Sequence, residues 1–553
     1  MDHLYYGDNL TILREHIRDE SIDLVYLDPP FNSQATYNVL FHAPTGERSQ
    51  AQIAAFEDTW HWNETAEYAF DEVVQSGNTD AAELLRAMRA FLKENDIMAY
   101  LTMMAIRLLE LHRVLKPTGS LYLHCDPAAG HYLKVVMDAI FGVRHFRNEN
   151  IWKRTTAHSA AKRWNDIHDT ILFYTKTENY TWHQVLIEHS EEYTARYKNR
   201  DTHGRLWADD NLTGPGVRHG NSGAVWRGYD PTAKGLHWKV SLKAVESIVG
   251  PEKTRTMSTT AKLDLLDEHG FIHWPQSRSG PGSGFPRFKR YLSEGISVQD
   301  IVLDIPPINS QAQERLGYPT QKPVALLERI MNVSSNPDDV ILDPFCGCGT
   351  AIHAAQKLGR HWIGIDITHL AISLIEKRLN DAFPGIQYEV HGTPKDLDGA
   401  KALADRDKYQ FQWWAVSLVN AVPYGGKKKG ADTGIDGLIY FKPDGKQTEK
   451  AIVSVKGGAN VSVPMIRDLA HVVDREQAKI GVFVTLAPPT GPMQTEATKA
   501  GFYDTAYHGK VPKIQVLTIA DLFAGKKPQI PFIDPSTFRR ARQEDTARQE
   551  QLF

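Results

Sequence analysis

Two short stretches carry residue types that could do chemistry. The first is Asp28-Pro29-Pro30-Phe31, placed directly after the apolar run Ile22 to Leu27. Proline holds its own backbone torsion and has no N–H to give a ladder, so a Pro-Pro pair locks the chain just past a strand's end. A carboxylate, the fixed carbonyl of Pro29 and the flat ring of Phe31 then surround a space that suits a planar amine. If the Asp28 carboxylate and the Pro29 carbonyl both accept that amine's N–H groups, its nitrogen becomes more tetrahedral and more nucleophilic. The matching chemistry is transfer of a methyl group to an exocyclic nucleobase nitrogen, with Phe31 stacking on a base flipped out of its duplex. Such a step runs on positioning and fixed dipoles. An ordinary Asp-Pro turn at a strand end is the plain alternative.

The second stretch is Asp343-Pro344-Phe345-Cys346-Gly347-Cys348-Gly349-Thr350, after the short apolar strand 340–342. A helix over 351–358 follows, Gly359 closes it, and the strand 361–365 ends at Asp366. A strand, a Gly-x-Gly turn, a helix and an acid at the next strand's tip form the nucleotide-cofactor half of a doubly wound fold. The glycines admit a ligand close to the backbone, and Asp366 can accept both ribose hydroxyls. The third glycine of a dinucleotide fingerprint is missing, and Asp-Pro-Phe precedes the turn. That combination fits a cofactor whose amino-acid end sits at the turn, S-adenosylmethionine.

These stretches need a scaffold, and the chain offers one. Residues 4–6 read as a strand, and Gly7-Asp8-Asn9 opens a helix through about Ile17; Asp8 reads equally as that helix's N-cap. Residues 33–80, with Trp60 and Trp62, read as a polar, irregular insertion over the site. A helical pattern over 80–115 ends at a turn, Lys116 to Gly119, and is followed by a strand at 120–125, a helix at 131–141 and strands at 149–153 and 169–174. Strand and helix alternating in this way predict an open α/β sheet. From about Trp182 to Gly317 periodicity weakens and Gly, Pro, Trp, His and Arg become dense. Within it, Phe285-Pro286-Arg287-Phe288-Lys289-Arg290-Tyr291 interleaves bases with aromatic rings, which suits DNA phosphate contacts plus stacking. Acids nearly balance bases across this segment, so a solvated loop region is the competing reading.

Composition bounds the rest. The chain has 553 residues, enough for two to four domains, with 42% hydrophobic and 24% charged residues, as in a soluble globular protein. No run of about twenty apolar residues predicts a membrane span, and the N-terminus lacks the pattern of a signal peptide, so a cytoplasmic protein is expected. Cys125, Cys346 and Cys348 are too few for a disulfide framework, and a Cys-x-Cys pair without further ligands is a poor metal site. A net charge of −4 and a pI near 6.6 do not announce a nucleic-acid binder; binding would need a local basic surface.

Taken together, the two stretches resemble the amino-methyltransferases of DNA. Asp28-Pro29-Pro30-Phe31 is similar to their catalytic motif and Asp343 to Thr350 to their cofactor motif, and the catalytic motif comes first, as in the beta-class permutation. Gly7-Asp8 looks like the motif that meets the cofactor adenine, and Pro319-Thr320-Gln321-Lys322-Pro323 like the one beside the cofactor's methionine end. The resemblance covers roughly residues 1–385. It implies Asp28, Pro29, Pro30 and Phe31 at the target base, and Asp8, Lys322, Asp343, Phe345, Gly347, Gly349, Thr350 and Asp366 around S-adenosylmethionine. Asp-Pro-Pro in place of Ser-Pro-Pro implies adenine N6, with cytosine N4 as the alternative. Phe31 stands where Tyr is commoner and Cys348 where Ser is usual.

A further region begins after a polar link near 394–408. A helix is expected from Tyr409 to Val422, then strands at 438–441, 450–456, 481–486 and 513–517 with a helix around Ala497 and Ala500. An Asp at one strand tip and a Lys on its hairpin partner can hold a divalent metal and a water against a phosphodiester. The layout resembles Mrr-type restriction endonuclease domains of the PD-(D/E)xK superfamily, which implies Asp436, Ser454 and Lys456 as the nuclease positions, with Asp436 as a ligand of Mg²⁺. Ser454 stands where an acid or Gln is expected, and Gln412 where an acid is often found. Fewer carboxylates hold Mg²⁺ less well.

The expected fold class is therefore α/β: a Rossmann-like methyltransferase domain with an inserted target-recognition region, followed by an α/β restriction-endonuclease-like domain. The expected boundaries are 1–182 and 318–393 for the two parts of the methyltransferase, 183–317 for target recognition with Arg287, Lys289 and Arg290 as DNA contacts, 409–534 for the nuclease-like domain and 535–553 for a polar tail. The expected activity is site-specific adenine N6 methylation of double-stranded DNA in restriction-modification or phage defence. The alternatives are a bifunctional protein that also cleaves DNA, a cytosine N4 enzyme, and a DNA-binding protein with decayed sites. No membrane partner is expected, and a homodimer is the assembly to test.

Overall fold

The computed structural model describes residues 2–30, 36–42, 48–57, 61–155, 164–274, 284–309, 312, 314–316, 321–424, 434–444, 447–505 and 509–531. Phe31, Pro319, Thr320 and the expected tail 535–553 lie outside them. The described chain forms two compact units, residues 1–183 with 299–553, and residues 184–298.

The first unit is built on a nine-stranded sheet. Its strands in chain order are β1 (His3–Tyr6), β2 (Ile22–Leu27), β3 (Leu115–Cys125), β4 (Phe146–Lys153), β5 (His168–Thr175), β6 (Ile301–Val302), β7 (Val340–Asp343), β8 (His361–Asp366) and β9 (Glu389–His391). In space they run β6-β4-β5-β3-β2-β7-β8-β1-β9, parallel except that β5 is antiparallel to both its neighbours. The central strands bury both faces, as a helix-covered parallel sheet requires. Leu24 and Tyr26 pack on one face with Ile341 and Trp362, while Val25 and Leu27 point to the other with Leu342 and Ile365. That second face is covered by the helix Asp96–Val114, in which Leu101, Ala105, Leu108 and Leu111 are fully buried.

Several elements differ from the sequence expectation. Residues 33–80 are not irregular where described: Thr36–His42 and Arg48–Glu57 form a hairpin, and a helix spans Glu64–Gln75. Asn63 caps that helix and Ala66, Ala69, Phe70 and Val73 form its buried stripe, a helical period diluted by the acids around it. The pattern over 80–115 is two helices, Thr79–Leu92 and Asp96–Val114, broken at Lys93, whose φ is +65°. The turn expected at Lys116–Gly119 lies inside β3: the register jumps from Ile22↔Leu115 to Leu24↔Ser120, so those residues loop out as an irregularity of one strand. The polar link near 394–408 contains the helix Leu397–Arg406, which buries Ala400, Leu403 and Ala404.

After it come the helix Lys408–Leu418 and a five-stranded sheet, in the spatial order Val422–Pro423, Gly437–Phe441, Glu449–Lys456, Ile480–Thr485, Ile514–Thr518. Buried residues of this region, among them Phe411, Trp414, Phe441 and Val453, belong to the same apolar cluster as Ile341, Trp362 and Ile375. The second unit holds a four-stranded sheet and an apolar cluster containing Trp226, Trp238, Val245, Leu263 and Leu266. The weak periodicity of its sequence reflects strands of two to six residues, too short to show a pattern.

Candidate active site at the carboxyl ends of the strands

In an open α/β sheet a ligand site forms beyond the carboxyl ends of the strands, where helix N-termini and loops diverge. Here β2 and β7 are parallel neighbours, with Leu24 opposite Ile341 and Val25 opposite Leu342. Asp28 follows β2 and Asp343 ends β7, so the two distant motifs leave the sheet side by side. They line one cavity of about 240 Å³, together with Asp8, Lys322, Phe345, Gly347, Thr350 and Asp366. Pro30 also lines it, and Pro29 is buried behind.

The cofactor-motif turn is held by its own backbone. The Asp366 carboxylate accepts the Gly347 N–H at 3.0 Å on one oxygen, and the Thr368 N–H at 2.8 Å and hydroxyl at 2.9 Å on the other. Burial pushes the Asp366 carboxyl up to about 6, against the pull of those donors. Asp343, held at 3.1 Å by the Phe345 N–H, is raised well above the carboxylate range, chiefly by burial. Gly349 has φ +73° and caps the following helix, Thr350–Lys357; a Cβ there would lie 2.8 Å from Ile375 Cγ1. Both conformation and space demand glycine.

Asp8 does two things. It caps the helix Asn9–His16 by accepting the Thr11 N–H, and it binds Arg107 at 2.7 Å. Arg107 also donates to Asn9 Oδ1 at 2.6 Å, and Asn9 Nδ2 donates to the Pro344 carbonyl at 2.8 Å. The turn after β1 is thus tied to the turn after β7. Burial lowers the Arg107 guanidinium from its ordinary value, and Asp8 opposes it. Arg107 and Asn9 were not singled out in the sequence. The available signal was a lone Arg inside the apolar run Met103-Met104-Ala105-Ile106-Arg107-Leu108.

Lys322, expected beside a cofactor, lines the cavity but donates to Asp28 Oδ2 at 2.6 Å, with side-chain exposures of 9% and 16%. Behind Asp28 runs a buried chain: Tyr26 hydroxyl to His124 Nδ1 at 2.9 Å, and His124 Nε2 to Asp169 at 3.0 Å. Burial pushes the Asp169 carboxyl up, but His124, Lys322 and Arg154 outweigh it and leave it below its ordinary value. Ile367, also missed, is an apolar side chain left 58% exposed at the cavity wall. Cys346 and Cys348 are buried thiols, raised chiefly by burial, and among the described residues neither belongs to a metal-ligating group.

The second unit contains Arg287, Lys289 and Arg290 on the strand Arg287–Tyr291, antiparallel to Leu206–Asn211. Arg287 is bonded to Asp209 and Asn211, Arg290 pairs with Asp210 at 3.6 Å, and the Lys289 ammonium lies 5.6 Å from the Trp207 ring centre. The acids across the strand pair the two arginines locally.

In the C-terminal region Asp436 sits opposite the strand Glu449–Lys456, which carries buried Ser454 and, at its end, Lys456. The Asp436 carboxylate accepts the Val455 N–H at 2.5 Å and the Gln412 side-chain amide. Among the described residues no second His, Cys, Asp or Glu joins it in a group of three. Both oxygens of this carboxylate thus already accept an N–H, whereas Mg²⁺ is held by oxygen ligands.

Comparison with known proteins is consistent with this layout. Residues 22–377 match the family model described as DNA methylase. The chain belongs to the DNA methylase family. Residues 403–503 of this methylase match a second model, described as restriction endonuclease, so it carries a restriction-endonuclease-like domain at its C-terminal side. It is similar to the type II methyltransferase M.EcaI of Enterobacter cloacae, 28% identical over 379 residues, covering 68% of each chain. It is also similar to the DNA adenine methyltransferase YhdJ of Escherichia coli K12, 44% identical over 81 residues, which are 15% of this methylase and 28% of YhdJ. Among solved structures, the PvuII DNA methyltransferase, cytosine-N4-specific, aligns with 12% identity and a TM-score of 0.31, over 70% of this methylase and 89% of that chain. No helix among the described residues is long and apolar enough to cross a membrane.

Proposed function

We propose that this methylase transfers a methyl group from S-adenosylmethionine to adenine N6 in double-stranded DNA, at Asp28. The observation that carries the reading is that Asp28 and the turn residues Phe345, Cys346, Gly347, Cys348 and Thr350, some 300 residues apart in sequence, line one cavity at the strand ends, Gly349 shaping the turn without lining it.

The donor set fits the cofactor. Asp366, at the tip of β8, offers acceptors for ribose hydroxyls; Asp8 and Ile367 offer an acceptor and an apolar wall for adenine; Phe345, Gly347, Thr350, Asp343 and Lys322 surround the amino-acid end. When bound, S-adenosylmethionine supplies an electrophilic methyl on a sulfonium. The chain's own residues do the rest. The Asp28 carboxylate and the Pro29 carbonyl accept the amine's N–H groups and raise the density of its lone pair, which works best with water excluded. Lys322, on Asp28 Oδ2, keeps the carboxylate paired until an amine arrives and leaves its other oxygen to accept. An acid in the first position of the motif favours adenine N6; the name of YhdJ is in line with it. Phe31 is assigned to stacking on the flipped base, and Arg287, Lys289 and Arg290 to DNA contacts, for which the two arginines give up their present acidic partners.

The C-terminal domain is assigned a DNA-binding role. The commitment of the Asp436 carboxylate to Gln412 and Val455 supports this over cleavage. The test is expression in a methylation-free host, with modified bases mapped genome-wide by single-molecule sequencing. N6-methyladenine at one short motif is the expected result; N4-methylcytosine or no modification refutes it.

A further inference from the structure

Away from the cavity, β1 and β9 lie side by side at the edge of the nine-stranded sheet, parallel, with His3 opposite Glu389 and Tyr5 opposite His391. Directly opposed residues of neighbouring strands share a face, and so do residues two apart. His3, Glu389 and His391 therefore converge on one side. Their polar atoms form a small triangle: His3 Nδ1 to His391 Nε2 is 3.1 Å, His391 Nε2 to Glu389 Oε2 is 3.3 Å, and His3 Nδ1 to Glu389 Oε2 is 3.7 Å.

From this geometry we infer that His3, Glu389 and His391 form a binding site for a divalent transition-metal ion, Zn²⁺, with its fourth position open to water. Two imidazoles and one carboxylate are donors that zinc prefers. A tetrahedral zinc with bonds of about 2.0–2.1 Å needs donor pairs separated by roughly 3.3–3.4 Å, and the triangle brackets that spacing. The ring of His391 is held by stacking on Tyr5 at 4.5 Å, and Tyr5 stacks on His16 at 5.4 Å, so the ligand's orientation is set by its neighbours. The side chains are 27%, 48% and 32% exposed for His3, Glu389 and His391, so an ion can enter. Coordination through His3 Nδ1 and His391 Nε2 requires each neutral ring to carry its N–H on the other nitrogen, Nε2 of His3 and Nδ1 of His391.

The site would fasten the sheet's last strand. Just past β9, Gly392 has φ +79° and passes so near the Tyr6 carbonyl that a Cβ would lie 2.2 Å from it. Tyr6 leads directly into Gly7 and Asp8 at the cavity. A metal there holds the chain's exit from the methylase sheet against the strand that feeds the cofactor turn.

The experiment uses the untagged full-length chain, stripped with chelator. Zn²⁺ is titrated in competition with a chromogenic chelator, and Co²⁺ is added as a visible probe. One tight equivalent, an intense tetrahedral Co²⁺ band and a Tm that rises with Zn²⁺ are expected. Glu389→Gln, which keeps shape, and His391→Ala should each weaken that equivalent at least about tenfold, while His16→Ala keeps it. Circular dichroism checks folding, and if His391→Ala does not fold then Glu389→Gln decides. No stoichiometric equivalent in the parent chain, or an equivalent that survives Glu389→Gln, overturns the site.

Discussion

Asp366→Asn tests one buried carboxylate on which both oxygens are engaged. One oxygen accepts from the Gly347 N–H and the other from the Thr368 N–H and hydroxyl. An asparagine side chain has one acceptor, and its amide group must face one set of donors. If it faces Gly347, the turn loses its anchor; if it faces Thr368, two donors lose theirs. Either orientation costs a hydrogen bond to an ionised group, about 1.5–3 kcal/mol. The proposed ribose contact weakens as well, so S-adenosylmethionine affinity should fall roughly 10- to 150-fold, measured by isothermal titration at pH 7.5. A pH arm tests the charge. Burial raises this carboxyl from 3.8 to about 6 in the folded chain. A raised acid costs nothing below its unfolded value, and its penalty grows from about pH 4 to about pH 6. The full shift corresponds to at most about 3 kcal/mol, and water at the cavity face reduces it. Relative to the parent, the variant should therefore gain stability as pH rises across that window. Parent-chain affinity for the cofactor should fall as pH drops through about 6, and the variant's should not. Unchanged affinity at pH 7.5, or parallel pH curves for the two proteins, would refute the strand-tip role.

Three other substitutions probe separate parts. Asp28→Ala should abolish methyl transfer while S-adenosylmethionine still binds; a tritiated methyl-transfer assay beside titration separates the two, and joint loss contradicts the role at the amine. Arg107→Met removes the bonds to Asp8 and Asn9 from a buried guanidinium and should destabilise the chain by about 2–4 kcal/mol in urea unfolding; a change under ~0.5 kcal/mol would mean that the tie between the two turns carries no load. Lys456→Ala, distant in sequence and in a different sheet, should leave methylation at the parent rate, and a methylation-dead variant would mean the two domains do not act separately.

Much of this protein is determined by its sequence alone. The strands that run up to Asp28 and Asp343 are apolar runs stopped by an acid and a proline, and the one that ends at Asp366 is an apolar run stopped by an acid, so both strand and terminus can be read locally. The glycine demand at Gly349 and the ordering of the two motifs are likewise local. Elements went unread where the period was diluted or short: the helix Glu64–Gln75 among acids, the irregularity inside β3, and the brief strands between residues 184 and 298. The partners come from the assembled fold. That Lys322 reaches Asp28, that Arg107 joins Asp8 to Asn9, and that His3 meets Glu389 and His391 depend on which strands become neighbours. Strand order is set by burial summed over the whole sheet, and no short stretch of sequence carries that sum.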